Sequence, residues 1–314
     1  MPIRIPEQLP AQDVLLGENI FTMDSQRASH QDIRPLEVGI LNLMPNKIET
    51  EVQLLRLLSN TPLQINVDLI RIDDQAPKNT PQSHMDAFYH PFSAVENKRY
   101  DGLMVTGAPL AHLEYTQVKY WSKMTEIFDW SEQNVQSTLY SCWAAHAAMF
   151  HFYGVNRHLR EHKISGVFEH QVLTPHNELL RGFDPTFFAP HSRFGHIATK
   201  QYEDVAGLKV LARSADAGTY IAATNDKRKV FITGHPEYDP ETLHEEFLRD
   251  TEAGQSPQIP ENYYPQNNPK KPPMVRWRSH GSLLFTNWLN YHVYQTTPFD
   301  LNSLNQGVRP NNEV

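Results

Sequence analysis

Cys142 is the only cysteine among 314 residues, and its neighbours are those of a nucleophile. Ser137 to Met149 reads as a strand, a sharp turn and a helix of small residues. Ala144, Ala145, Ala147 and Ala148 let that helix pack tightly beneath the turn. A helix starting at the sulfur aims its first amides there, which favours thiolate and can hold an oxyanion. Strand, turn and helix together form the elbow that exposes a nucleophile. The usual elbow has small residues two before and two after that position; Ala144 fits and Tyr140 does not. Taken alone, a single cysteine is as well explained as a small buried hydrophobe.

A second pattern strengthens the first. Lys229 to Thr233 reads as a strand, followed by Gly234-His235-Pro236-Glu237. An imidazole within reach of sulfur can act as base, and a carboxylate two residues on can orient it. Without Cys142 the same residues would be an exposed turn. A competing motif is His158-Leu-Arg-Glu161-His162, which matches the H-x-x-E-H pattern of one class of zinc peptidases. That chemistry needs a helix. Gly154 before it and Gly166 after it leave room only for a short, polar, exposed one, so no metal is expected.

The elements that must position these residues alternate. Leu36 to Met44 is an apolar run closed by Pro45. Asn46 to Ser59 carries Ile48, Val52, Leu55 and Leu58 on one helical face. Ile65 to Ile72 and Gly102 to Thr106 read as strands, Val118 to Trp130 as a helix, and Leu139 to Ser141 as the end of a fourth strand. Alternation of this kind predicts an α/β fold with a mainly parallel sheet flanked by helices. Ligands of such sheets bind beyond the carboxyl ends of the strands, where Pro45, Gly107 and Cys142 fall. Between Lys163 and Val230 the pattern changes to short alternating strands, among them Ile164 to Val172 and Val210 to Ala222, which read as an antiparallel addition. Asp239 to Arg249 reads as a helix with Pro240 near its first turn, Ser256 to Pro273 as a loop, and Ser282 to Tyr294 as a last helix. The division expected is an N-terminal arm over 1–35, one α/β domain over 36–300 and a C-terminal tail over 301–314.

Bulk properties narrow the classes. Hydrophobic residues make up 39% and aromatic residues 11%, which suits a globular chain. The formal charge of −8 argues against a general nucleic-acid binder. One cysteine cannot form an intrachain disulfide or a cysteine-based zinc site. There is no apolar run near the ~20 residues of a membrane span, and Met1 to Pro6 shows no signal-peptide core, so a cytoplasmic protein is expected.

At Cys142 and His235-Pro-Glu237 the chain begins to look like a class I glutamine-amidotransferase-type fold, a flavodoxin-like α/β architecture. From Met1 to Asp300 it resembles the homoserine O-acyltransferases of methionine biosynthesis, particularly the O-succinyltransferase type. The motifs that carry this are Ile40-Leu-Asn-Leu-Met-Pro45, Lys47-Ile-Glu-Thr-Glu51, Val105-Thr-Gly-Ala-Pro-Leu110, Ser141-Cys142-Trp143, Ala189-Pro-His-Ser-Arg193, Thr233-Gly-His-Pro-Glu-Tyr238 and Trp277-Arg-Ser-His-Gly281. The resemblance implies that Cys142 forms an acyl-thioester, that His235 accepts the proton and that Glu237 orients it. It implies substrate binding by Lys163, Ser192 and Arg249, with Lys47 a further contributor. On residue type alone, Arg249 is a solvated helix residue among acids, Ser192 a turn residue, and Lys163 and Lys47 surface charges. Backbone amides at Leu110 and Trp143 are the expected oxyanion donors.

Donor choice in the family follows the residue two after Gly-Ala-Pro. Glutamate there goes with acetyl and glycine with succinyl. Ala111 departs from both, but alanine brings no charge to repel a succinyl carboxylate, and Leu110 follows the succinyl pattern. His112 beside it would favour an anion if protonated, and is otherwise simply exposed. Succinyl-CoA is the expected donor, with acetyl-CoA the alternative and a glutamine amidotransferase a more distant one. Coenzyme A enters as part of a substrate, with homoserine as acceptor and no permanently bound cofactor. A homodimer is the expectation from the fold resemblance.

Overall fold

The computed structural model describes residues 3–4, 9–17, 22–23, 34–73 and 79–304. Its centre is a parallel sheet. The principal strands are β1 (Leu36–Leu41), β2 (Ile65–Arg71), β3 (Tyr100–Val105) and β4 (Val135–Ser141), continued by β5 (His158–Val172), β6 (Thr186–His196), β7 (Leu208–Ser214), β8 (Gly218–Thr224) and β9 (Lys229–Ile232). They lie in the order β2-β1-β3-β4-β9-β8-β7-β5-β6. From β2 to β9 every neighbouring pair is parallel; from β9 to β6 every pair is antiparallel. The antiparallel strands thus extend the same sheet, as expected of an addition to it.

Strands covered on both faces must be apolar throughout. All six residues of β3 are buried, as are Val38, Gly39, Ile40 and Leu41 of β1. The helices that cover them include α1 (Lys47–Leu58), α2 (Trp121–Asn134), α3 (Trp143–Tyr153), α4 (Thr242–Glu252) and α5 (Arg278–Asn287). α1 sets Leu54, Leu55, Leu57 and Leu58 into one core; α2 and α3 set Met124, Ile127, Phe128 and Met149 into the other.

Of the N-terminal arm, Ile3–Arg4 pairs with Ile65 and Asn66 of β2, Thr22–Met23 pairs with Ile3–Arg4, and Ala11 and Leu15 are fully buried. Residues 1–2, 5–8, 18–21 and 24–33 of the arm, and 305–314 of the tail, lie outside the described residues.

Four expectations need correction. Val210 to Ala222 is not one strand but β7 and β8, joined by a turn over 215–217. β6 is a strand of eleven residues where no strand is expected; Pro190 at its centre hides it. Ser192 therefore sits within a strand rather than a turn. Asp239 and Pro240 precede α4, whose N-cap is Glu241. The final helix is two pieces, α5 and a π-helical turn over Trp288–Tyr294.

Candidate active site

The parallel register brings the chemistry together. Ile232 of β9 lies opposite Ser141 of β4, so Cys142 and His235 leave the sheet side by side at the carboxyl edge. The Cys142 amide donates to the Ile232 carbonyl at 2.7 Å, which ties the elbow to β9. Cys142 adopts φ 48°, ψ −112°, a conformation that costs a side-chain-bearing residue about 1–3 kcal/mol. The surrounding packing holds it there. Ala144, Ala145, Ala147 and Ala148 are fully buried beneath the turn. Gly107, after β3, is tightly enclosed: a Cβ there would stand 3.2 Å from that of Cys142.

His235 lies close enough to the Cys142 thiol for the two groups to interact electrostatically. Its Nδ1 lies 2.8 Å from Glu237 Oε1. Its amide donates to the Pro190 carbonyl of β6 at 2.8 Å. Gly234 permits this approach, since a Cβ there would meet Pro190 O at 2.6 Å. Burial disfavours the imidazolium, but Cys142 and Glu237 outweigh it and hold the His235 pKa well above its ordinary value. The arrangement favours a protonated histidine beside the thiol.

Beyond His235 lies a second cluster whose centre the sequence does not reveal. Tyr238 stacks on the imidazole, ring centroids 4.2 Å apart. Its hydroxyl donates to Glu246 Oε1 at 2.7 Å. The other Glu246 oxygen accepts from Lys163 Nζ at 2.9 Å and from the Ser192 hydroxyl. Burial would raise the Glu246 pKa, yet Lys163, Ser192 and Tyr238 bring it below the usual carboxylate value. Lys163 also reaches Asp250 at 3.1 Å, and Arg249 folds back on Asp250 at 2.7 Å. The side chain of Arg249 is 65% exposed. Lys163 and Ser192 are thus joined through Glu246, while Arg249 reaches the same cluster through Asp250. Glu246 and Asp250 are one helical turn apart on α4, which is the only sequence clue to them. A cavity of about 140 Å³ opens here, lined by Lys163, Ser165, Phe194 and Asp250 among others.

Lys47 lies elsewhere, at the start of α1, and is buried rather than a surface charge. Its ammonium donates to Asn42 O at 2.5 Å and Met44 O at 3.3 Å. Burial lowers its pKa to about 8, with Glu51 opposing. The Leu110 amide is already donated to Ala108 O at 2.8 Å in a tight turn, so it is not free for an oxyanion. Trp143 is the first residue of α3, beyond the Cys142 N-cap. Ala111 is half-buried, and its carbonyl accepts from Arg157 at 2.9 Å. His112 is exposed and packs on Phe194.

The H-x-x-E-H segment forms no helix. His158 to His162 are exposed residues at the start of β5, where four positions span about 13 Å. Among the described residues, no group of three or more His, Cys, Asp or Glu could hold a metal ion. No helix among them is long and apolar enough to cross a membrane.

Comparison with known proteins agrees with this geometry. A glutamine amidotransferase from Thermotoga maritima superposes with a TM-score of 0.50 over 83% of this chain and the whole of its own, at 10% identity, which is a likeness of fold. Homoserine O-succinyltransferases from Alteromonas mediterranea and Pseudoalteromonas atlantica are 72% and 67% identical, over 99% and 97% of this chain and 99% of each relative. The family model for homoserine O-succinyltransferase matches residues 2–299. The chain belongs to the homoserine O-succinyltransferase family.

Proposed function

We propose that this enzyme transfers succinyl from succinyl-CoA to the hydroxyl of homoserine through a thioester on Cys142. The observation that carries this is the elbow cysteine beside a buried histidine whose Nδ1 is held 2.8 Å from Glu237. The Cys142 thiolate attacks the thioester carbonyl, and the Trp143 amide at the start of α3 stabilises the oxyanion. Leu110 joins it only when its turn with Ala108 opens. The tetrahedral intermediate collapses, the bond to the coenzyme A sulfur breaks, and that sulfur takes the proton held by His235. Succinyl remains on Cys142.

Loss of the thiolate charge lowers the affinity of His235 for a proton and prepares it as a base. Homoserine then gives its hydroxyl proton to His235 while its oxygen attacks the acyl carbonyl. Collapse releases the Cys142 thiolate and O-succinylhomoserine. Lys163, Ser192 and Arg249, assembled with Glu246 and Asp250, form the acceptor side. An amino acid carries one ammonium and one carboxylate, and this cluster offers charges of both signs. Lys47 is a further contributor on the opposite side. No metal or prosthetic group takes part in these steps. The same proposal makes the enzyme cytoplasmic and homodimeric; light scattering on the purified protein tests the latter.

The test is product analysis with homoserine and either succinyl-CoA, acetyl-CoA or glutamine. O-succinylhomoserine with equimolar free thiol is the expected result. Faster acetyl transfer would replace the donor assignment, and ammonia release from glutamine would replace the reaction.

A further inference from the structure

The largest cavity described, about 670 Å³, lies beyond the carboxyl ends of β1, β2 and β3. The strand order puts it on the opposite side of the Cys142 elbow from Lys163 on β5. Its volume is in the range of small-molecule sites, about 300–1,000 Å³. Four cations line it, Lys47, Arg71, Lys119 and Lys123, against two carboxylates, Asp73 and Glu126. That excess is notable in a chain of formal charge −8. Arg71 donates to Asp73 O at 2.7 Å through Nη1, while its Nε is buried without a partner. Lys119 is exposed, and Lys123 pairs with Glu126 at 2.7 Å and lies over the Phe92 ring at 5.8 Å, a partly exposed pair of small strength. Between the cations the wall is apolar, with Ile72, Leu110 and Val118.

The cavity adjoins the chemistry. Met44 lines both it and the small space shared by Gly107, His235 and Glu237. Leu110 on its wall follows Gly107, which packs directly on Cys142. A long ligand with an apolar arm and several phosphates would satisfy such a shape: arm toward Cys142, phosphates toward the lysines.

We infer that this cavity is the coenzyme A subsite, with Arg71, Lys119 and Lys123 holding the phosphorylated nucleotide end of the donor. The inference rests on the acyl-CoA chemistry proposed above, and it separates the two substrates. The donor approaches from the β1–β3 side and the amino-acid acceptor from the β5–β6 side of the same cysteine.

The experiment compares wild type with the double variant Lys119→Glu, Lys123→Glu, the first site exposed and the second partly so. Three measurements are made: KM for succinyl-CoA, KM for succinyl-pantetheine, which lacks the nucleotide, and calorimetric affinity for free coenzyme A. Charge reversal is expected to weaken succinyl-CoA and free coenzyme A by about tenfold or more, and succinyl-pantetheine by less than about twofold. Equal weakening of both donors, or an unchanged coenzyme A affinity, would overturn the subsite. If wild type binds coenzyme A through these lysines but is never acylated by succinyl-CoA, the subsite stands and the reaction falls.

Discussion

Tyr238 lies almost flat on His235, with an angle of 17° between the rings, and the Tyr238 hydroxyl ends on Glu246. The proposed base and the proposed acceptor cluster are therefore in direct contact through Tyr238.

Tyr238→Phe keeps the ring over His235 and removes the hydrogen bond to Glu246. A hydrogen bond to a charged group is worth about 1.5–3 kcal/mol, or roughly 10–100-fold. We expect kcat/KM for homoserine to fall by about tenfold or more, with formation of the acyl-enzyme changed much less. Stopped-flow acylation and steady-state homoserine kinetics separate the two. Equal effects on both half-reactions would contradict a role on the acceptor side.

Cys142 occupies a conformation that glycine adopts without strain. Cys142→Gly and Cys142→Ala should both be inactive and folded. The glycine variant should be the more stable by about 1 kcal/mol, the released backbone strain exceeding the entropy of the freer unfolded chain. Urea denaturation of the two variants checks this; an alanine variant of equal or greater stability would mean the elbow stores no strain.

The raised pKa of His235 has a signed consequence for stability. A group that binds its proton more tightly when folded stabilises the fold most below its unfolded pKa, near 6.5, and that contribution is lost as pH rises through its folded value. The stability difference between wild type and Glu237→Gln should therefore be largest near pH 6 and shrink at alkaline pH. His235→Ala should lose about 10²–10⁴-fold in turnover. Thermal melts across pH test the first statement, and a gap that widens toward alkaline pH would reverse the sign assigned here.

Ala111 follows Leu110 on the loop after β3 that also carries Gly107. Ala111→Glu introduces a carboxylate that repels the free carboxylate of succinyl and fills space. The ratio of kcat/KM for succinyl-CoA over acetyl-CoA should fall by about tenfold or more in that variant and stay within about threefold in Ala111→Gly. A glutamate variant with an unchanged ratio would remove position 111 from donor choice.

Much of this was legible because parallel strands are apolar on both faces and helices show a 3.6-residue period. Asn46 and Ser59, the expected ends of the first helix, flank it as N-cap and C-cap. The elbow was legible from small residues after Cys142. What escaped has physical reasons. β6, an edge strand of the sheet, carries Pro190 and the polar run His191-Ser192-Arg193, so it lacks strand alternation, yet the fold buries His191 and Arg193. Glu246 resembles any helical surface acid until Lys163 and Ser192, far away in sequence, fold onto it. Lys47 could not be separated from a surface lysine, because its burial comes from the carbonyls of Asn42 and Met44 rather than from its own neighbours in α1.

The most direct test of the central claim is intact-mass spectrometry of the protein mixed with succinyl-CoA in the absence of homoserine, followed by peptide mapping. The account predicts one succinyl group per chain, mapped to Cys142, absent from Cys142→Ala and discharged on addition of homoserine with formation of O-succinylhomoserine. A wild-type protein that turns over homoserine while its mass never changes, or an adduct on any other residue, would contradict it.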